Sequence, residues 1–213
     1  MVRSAKEAFN EWLRTHDLRE FFVWWDQVTP GEKDELTSLL ETADSERPIQ
    51  AFLEKHPHVL IEHLAGGHGR WVIPQKRLGS EFIPDFVIGE LSSIGYEWYL
   101  VELESPRAQM FTRAGHPTVE LNRAINQIVS WRSWLTANRD YAARPRREQG
   151  LGLTDISPAP TGLILIGRRE SEGETEALRR QYTNDLRIAI HTYDFLVDSL
   201  VAERSGNNGN DGA

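Results

Sequence analysis

Apolar residues recur three and four positions apart over residues 5–14, where Ala8, Phe9, Trp12 and Leu13 share one face, and this spacing predicts an amphipathic helix. Leu18, Phe21, Phe22, Trp24 and Trp25 extend the helical reading over 17–27. Thr29-Pro30-Gly31-Glu32 has the form of a helix start, with Thr as N-cap, Pro in the first turn and Glu at the third position. Leu36, Leu39 and Leu40 mark the buried side of that helix. Another start at Asp44–Pro48 leads into a helix over 49–56, with Ile49, Phe52 and Leu53 inward and Pro57 ending it. The period then changes. Residues 70–78 and 81–89 read as strands joined around Leu78-Gly79-Ser80, and 97–104 as a third strand after the turn-forming Ser92–Gly95. A long helix over 118–137 carries Leu121, Ile125, Ile128 and Leu135 on its inner face. A polar connection at 144–160, with three Pro and two Gly, is expected to be mobile. A buried strand (161–168), a helix (172–182), a short strand (186–191) and a last helix (192–203) follow, and 204–213 reads as a disordered tail.

Composition narrows the class. The 213 residues suffice for one well-filled core, and 39% hydrophobic content with 7 Trp excludes general disorder. No apolar run reaches the roughly 20 residues of a membrane helix, so a soluble, cytoplasmic protein with no membrane partner is expected. The absence of Cys excludes disulfides, thiol catalysis and thiolate zinc sites. A net charge of -8 is unfavourable for coating a polyanion, but is compatible with an enzyme whose acidic site takes up metal ions.

Three acids stand in apolar surroundings. Asp85 falls within Phe82–Ile88, and an unpaired buried carboxylate costs several kcal/mol, a rough figure. Glu102 and Glu104 alternate with Val101 and Leu103, so both point to one face, a face that Leu100 and Trp98 continue with apolar groups. One reading makes the two Glu the wet face of an edge strand. The other places a divalent cation between like charges that otherwise repel.

The run LGSEFIPDFVI at 78–88 followed by WYLVELESP at 98–106 resembles the PD-(D/E)xK nuclease core. With IQAFLEKHPHVL at 49–60 and RAINQIVSWRSWL at 123–135, the chain resembles the C-terminal domain of the Shedu antiphage proteins, the DUF4263 family, over about residues 46–203. The resemblance implies an α/β fold with a restriction-endonuclease-like core, a mixed β-sheet flanked by helices. A small helical extension (1–45) would precede the nuclease domain (46–203), with the tail at 204–213. It also implies Mg²⁺- or Mn²⁺-dependent hydrolysis of DNA in antiviral defence, with DNA and further copies of the chain as partners.

Carried over by position, Asp85 and Glu102 match the family's metal-binding acids, and Gln127 matches a polar residue on the helix after the third strand. Glu104 departs from the pattern, which has Lys there. Three readings follow: Glu104 acts as a metal ligand or general base in a working endonuclease; the site has decayed into a silent module that binds nucleic acid or a partner protein; or the acids form structural pairs with Arg in an oligomerisation or regulatory protein. In the working case Asp85, Glu102 and the Leu103 carbonyl would hold the ion, with Glu104 as proton acceptor or second-ion ligand. Lys76, Arg77 or Arg70 are candidates for the missing cation. Lys76, Arg77, Arg107, Arg113 and Arg123 are candidate nucleic-acid contacts, with Arg144, Arg146 and Arg147 on the connection. Glu46 and Gln50, on the first core helix, are read as flanking surface, and Trp131 and Trp134 as core or subunit interface. His56, His58, His63 and His68 cluster in sequence, but at no helical ligand spacing, so no metal is assigned to them.

Overall fold

The computed structural model describes residues 5–64, 67–169 and 174–198. The expected tail at 204–213, residues 199–203 of the last helix and the start of the helix at 172 lie outside the described residues.

Helix α1 spans Ala5–Thr15. The helix expected over 17–27 does not form: only a 3₁₀ turn at Arg19–Phe21 interrupts an extended segment. Phe22 bridges to Trp71, and Val23 N donates to Arg70 O at 2.9 Å, so this aromatic stretch lies along the first strand. Covering an open sheet edge satisfies backbone groups that would otherwise face solvent, and this outweighs the helical spacing. Helix α2, Pro30–Thr42, begins as the capping signal predicts. Thr29 Oγ1 accepts from Glu32 N at 3.3 Å, and Glu32 Oε2 accepts from Thr29 N at 2.7 Å. Thr29→Ala should lower stability by about 1 kcal/mol in urea unfolding, the usual cost of an N-cap. Helix α3, Arg47–Lys55, ends before Pro57, which also opens the short helix α4, Pro57–Leu60.

Five strands make one mixed sheet in the order β1-β2-β3-β4-β5. β1 (Gly69–Pro74), β2 (Phe86–Ser92) and β3 (Gly95–Leu103) form an antiparallel meander, and Ser92↔Gly95 closes the predicted turn. β4 (Thr161–Leu165) joins parallel to β3 after the long helix α5 (Val119–Ala143). β5 (Ile188–His191) joins parallel to β4 after α6 (Glu174–Leu186). β1 stops at Pro74 and Gln75 takes a left-handed φ of 45°, but the hairpin continues irregularly, with Gln75 N donating to Asp85 O at 2.9 Å and Leu78 bridging Phe82 around Gly79, where the sequence placed the turn. Pro74 and Pro84 lack the N–H that a continuous ladder requires.

Alternation along the strands separates two cores. Val87, Trp98, Leu100, Ile164 and Ile166 pack with Ile128, Trp131 and Leu135 of α5. Phe86, Ile88, Val101, Leu103, Leu163 and Leu165 pack with Leu36 and Leu40 of α2 and Ile49, Phe52 and Leu53 of α3. The sheet is therefore flanked by helices on both faces, as an α/β core requires. The connection at 144–160 is packed rather than loose: Leu151, Leu153 and Ile156 are buried, and Thr154 O accepts from Trp98 Nε1 at 2.8 Å. No helix among the described residues is long and apolar enough to cross a membrane.

Candidate active site

β3 is the central strand, antiparallel to β2 and parallel to β4. At its C-terminal end Glu102 and the following Glu104 are 8% and 2% exposed, on the face toward α5. Two residues one turn apart on α5 meet them. Arg123 donates through Nε to Glu104 Oε1 at 3.1 Å and through its terminal nitrogen to Oε2 at 2.5 Å, a fork matched to the carboxylate. Gln127 Nε2 donates to Glu102 Oε1 at 2.8 Å. The other amide atom, Gln127 Oε1, is buried with no hydrogen-bond partner among the described residues.

Asp85 arrives from the irregular segment just before β2. Its Oδ2 accepts from Leu103 N at 2.8 Å, so a side chain takes the place of a ladder carbonyl beside Glu102. Burial pushes its carboxyl up to about 6, helped by Glu46, Glu104 and Glu54 and opposed by the Leu103 N–H. Burial pushes Glu102 further, up to about 9, with Asp85 and Glu104 adding repulsion and Arg123 opposing it. Glu46, beside the N-terminus of α3, is a fourth acid felt by both. Sequence reasoning placed Glu46 on the flanking surface; the signal available was its place on the first core helix, three residues before Ile49. Beneath the cluster, buried Tyr193 donates its hydroxyl to Glu104 O at 2.7 Å.

The acids are thus not equivalent. Glu104 is paired with Arg123, while Asp85 and Glu102 have no such cation among the described residues and hold their protons more tightly than ordinary carboxyls, chiefly through burial. Three buried or half-buried oxygen-bearing side chains, Asp85, Glu102 and Gln127 with its unpartnered Oε1, are a donor set that fits a hard dication such as Mg²⁺ or Mn²⁺. The trio Asp85, Glu102 and Glu104 does not draw together into a tight ligand set. Among the described residues the group of three His, Asp or Glu whose donor atoms all lie within 4.8 Å of one another is Glu32, His56 and His58, which the spacing argument set aside.

The proposed nucleic-acid contacts are scattered. Arg123 lines an open groove with Phe82, Val119, Asn122, Asn126, Gln127 and Ser130 beside the acids. Arg113 is exposed on the loop preceding α5, and Arg77 is exposed after β1. Lys76 is half-buried, with Arg146, Asp17 and Glu20 as its electrostatic neighbours. Arg107 closes the end of α2 by donating to the carbonyls of Ala43 and Glu41. Arg70 is 3% exposed and donates to the carbonyls of Ile61, Leu64 and Trp24. Arg146 is bound to Asp17 and Glu20, and Arg147 lies 3.5 Å from Glu148. Of the three cations considered for the place of the motif Lys, none is found paired with Glu104; Arg123 is.

The profile of the family described as Shedu protein SduA, C-terminal, matches residues 43–197. The chain belongs to this family. No curated protein matches it. Among solved structures, the restriction endonuclease FokI bound to DNA is similar with a TM-score of 0.43 and 13% identity, over 96% of this chain and 31% of that one. The chain therefore spans about a third of that protein's length. The matched residues include Glu46, Asp85, Glu102 and Glu104 together with Arg123, Gln127 and Tyr193, whereas Glu32 lies outside them.

Proposed function

We propose that this Shedu-family domain is a metal-dependent nuclease that hydrolyses DNA phosphodiester bonds in antiphage defence. The observation that carries the reading is the Asp85–Glu102 pair, one half-buried and one buried acid with raised proton affinity, beside the buried Oε1 of Gln127, which has no partner among the described residues. Asp85, Glu102 and Gln127 would hold Mg²⁺ or Mn²⁺. When bound, such an ion supplies charge neutralisation at the phosphate and a more acidic water. The protein's own residues do the rest. The Leu103 N–H fixes the Asp85 carboxylate, and the Gln127 amide fixes Glu102. Arg123, pinned by Glu104 yet with a side chain 63% exposed toward the groove, supplies from the helix the positive charge that the motif Lys supplies from the strand. Asn122, Asn126 and Ser130 line the same groove as polar groups for a nucleic-acid backbone.

The experiment is a cleavage assay on linear and circular DNA with Mg²⁺ or Mn²⁺. Wild-type protein should cut, and Asp85→Ala should not. The same ions should raise the melting temperature of wild type at pH 8 and leave that of Asp85→Ala unchanged, because an ion that binds only the folded site stabilises it by mass action. Neutralisation of Glu104 by Arg123 favours a second reading, a silent module that binds nucleic acid or a partner protein. DNA binding without cleavage, and without any metal response, would establish that one instead.

A further inference from the structure

We propose that Glu32, His56 and His58 form a second metal site, separate from the acid pair, for a transition-metal dication of the Zn²⁺ class. The three donors come from different elements: Glu32 from the first turn of α2, His56 from the corner between α3 and α4, and His58 from α4. The N-cap of α2 orients the carboxylate. Thr29 N and Oγ1 donate to Glu32 Oε2 at 2.7 and 2.8 Å, which turns Oε1 to the histidines. Oε1 lies 2.7 Å from His56 Nδ1 and 3.2 Å from His58 Nε2. Metal bonds of about 2.0–2.1 Å in a tetrahedral arrangement hold donor atoms roughly 3.3 Å apart; His58 already stands near that distance from Glu32 Oε1, the His56 ring would withdraw by about half an ångström, and all three donor atoms lie within 4.8 Å of one another. His56 and His58 side chains are each 15% exposed and Glu32 16%, so the site is enclosed yet reachable by a water as fourth ligand. Two imidazoles and one carboxylate with an open position are a zinc-type donor set, and imidazole nitrogen selects against Mg²⁺.

The site lies at the C-terminal end of α3, and Glu46 lies at its N-terminal end. The acid pair draws its other groups from β3 and α5, so the two donor sets share no residue. An ion here would fasten α2 to the α3–α4 corner, and with it the helical N-terminal region to the layer that covers the sheet.

The test uses the full chain, purified without a histidine tag and stripped with EDTA. Zn²⁺ at a hundred times its Kd should raise the melting temperature by about 5–10 °C, and Mg²⁺ at the same concentration should not reproduce this. The gain should vanish in Glu32→Gln and His58→Gln and persist in Asp85→Asn. Glu32→Gln retains a capping-box side chain, so the start of α2 is preserved. Co²⁺ should give the visible absorption of a tetrahedral complex, at one ion per chain, in wild type and Asp85→Asn but not in His58→Gln. A Zn²⁺ gain that survives both ligand substitutions overturns the proposal. So does a gain lost in Asp85→Asn, which would place the ion at the acid pair, or a wild-type protein with neither the Zn²⁺ gain nor the Co²⁺ absorption. Failure of the nuclease reading would instead remove the Mg²⁺ response and leave the Zn²⁺ response intact.

Discussion

Glu102→Gln is expected to stabilise the protein at neutral and alkaline pH while abolishing metal-dependent cleavage. The sign follows from linkage. Glu102 has an ordinary value of 4.5 and is pushed up to about 9 in the folded chain, largely by burial and then by Asp85 and Glu104. Between those values the native state binds a proton that the unfolded state has released, so stability falls as pH rises through the window. Asp85 adds a smaller loss between 3.8 and about 6. An amide at position 102 titrates nowhere, and its NH₂ can donate to the Gln127 Oε1 that otherwise lacks a partner. At 1.36 kcal/mol per pKa unit, the relief near pH 7 is roughly 3 kcal/mol, or about 6–12 °C in melting temperature. Thermal unfolding of both proteins from pH 5 to 9 checks this: wild type should lose stability with rising pH and the variant much less. Parallel curves, or a variant that melts below wild type, would show that the carboxyl is not held against its own charge. A group that weakens the fold in order to bind a cation is what a functional site is expected to contain.

The second large effect concerns the Glu104–Arg123 pair. Glu104→Lys restores the motif residue but sets a buried ammonium against the Arg123 guanidinium and removes the carboxylate that holds it. A loss of roughly 3–4 kcal/mol in urea unfolding is expected, the scale of breaking a buried ion pair. Arg123→Glu in the same background exchanges the charges and should recover most of that loss. Arg123→Gln alone should cost less, roughly 1–2 kcal/mol, because the arginine end of the pair is 63% exposed and water can reach Glu104 once it is gone. Cleavage at a temperature where the variant stays folded should fall at least about tenfold if the guanidinium offsets charge at the phosphate. Equal cleavage rates in wild type and Arg123→Gln would remove Arg123 from the chemistry. A more active charge-exchanged protein would mark the native arrangement as a weakened site.

Several features were legible in the residues alone. Period-two alternation put Glu102 and Glu104 on one face of a strand whose other face is apolar, and the sheet bears this out: Val101 and Leu103 lie in the opposite core. Thr29 and Glu32 signalled the start of α2, and the both-sided apolar run near 161 signalled a buried strand, because these signals are local and depend on neighbours within a few residues. The alternation also carried the mixed α/β class, and the motif carried the family. Pattern failed where distant contacts compete with local spacing. Residues 17–27 have helical spacing, yet the free edge of β1 draws Phe22 and Val23 into pairing. The first hairpin turns around Gly79 as read, but prolines at 74 and 84 interrupt its regular ladder, and from the irregular part Asp85 reaches Leu103 N. Periodicity states which face a side chain occupies and is silent about what stands across from it. That Arg123, nineteen residues further along, neutralises Glu104, and that Glu32 meets two histidines more than twenty residues away, was decided by the packing of α5 on β3 and of α2 on the α3–α4 corner. Such meetings depend on the whole chain's burial of apolar surface, which fixes distances between elements that no local spacing encodes.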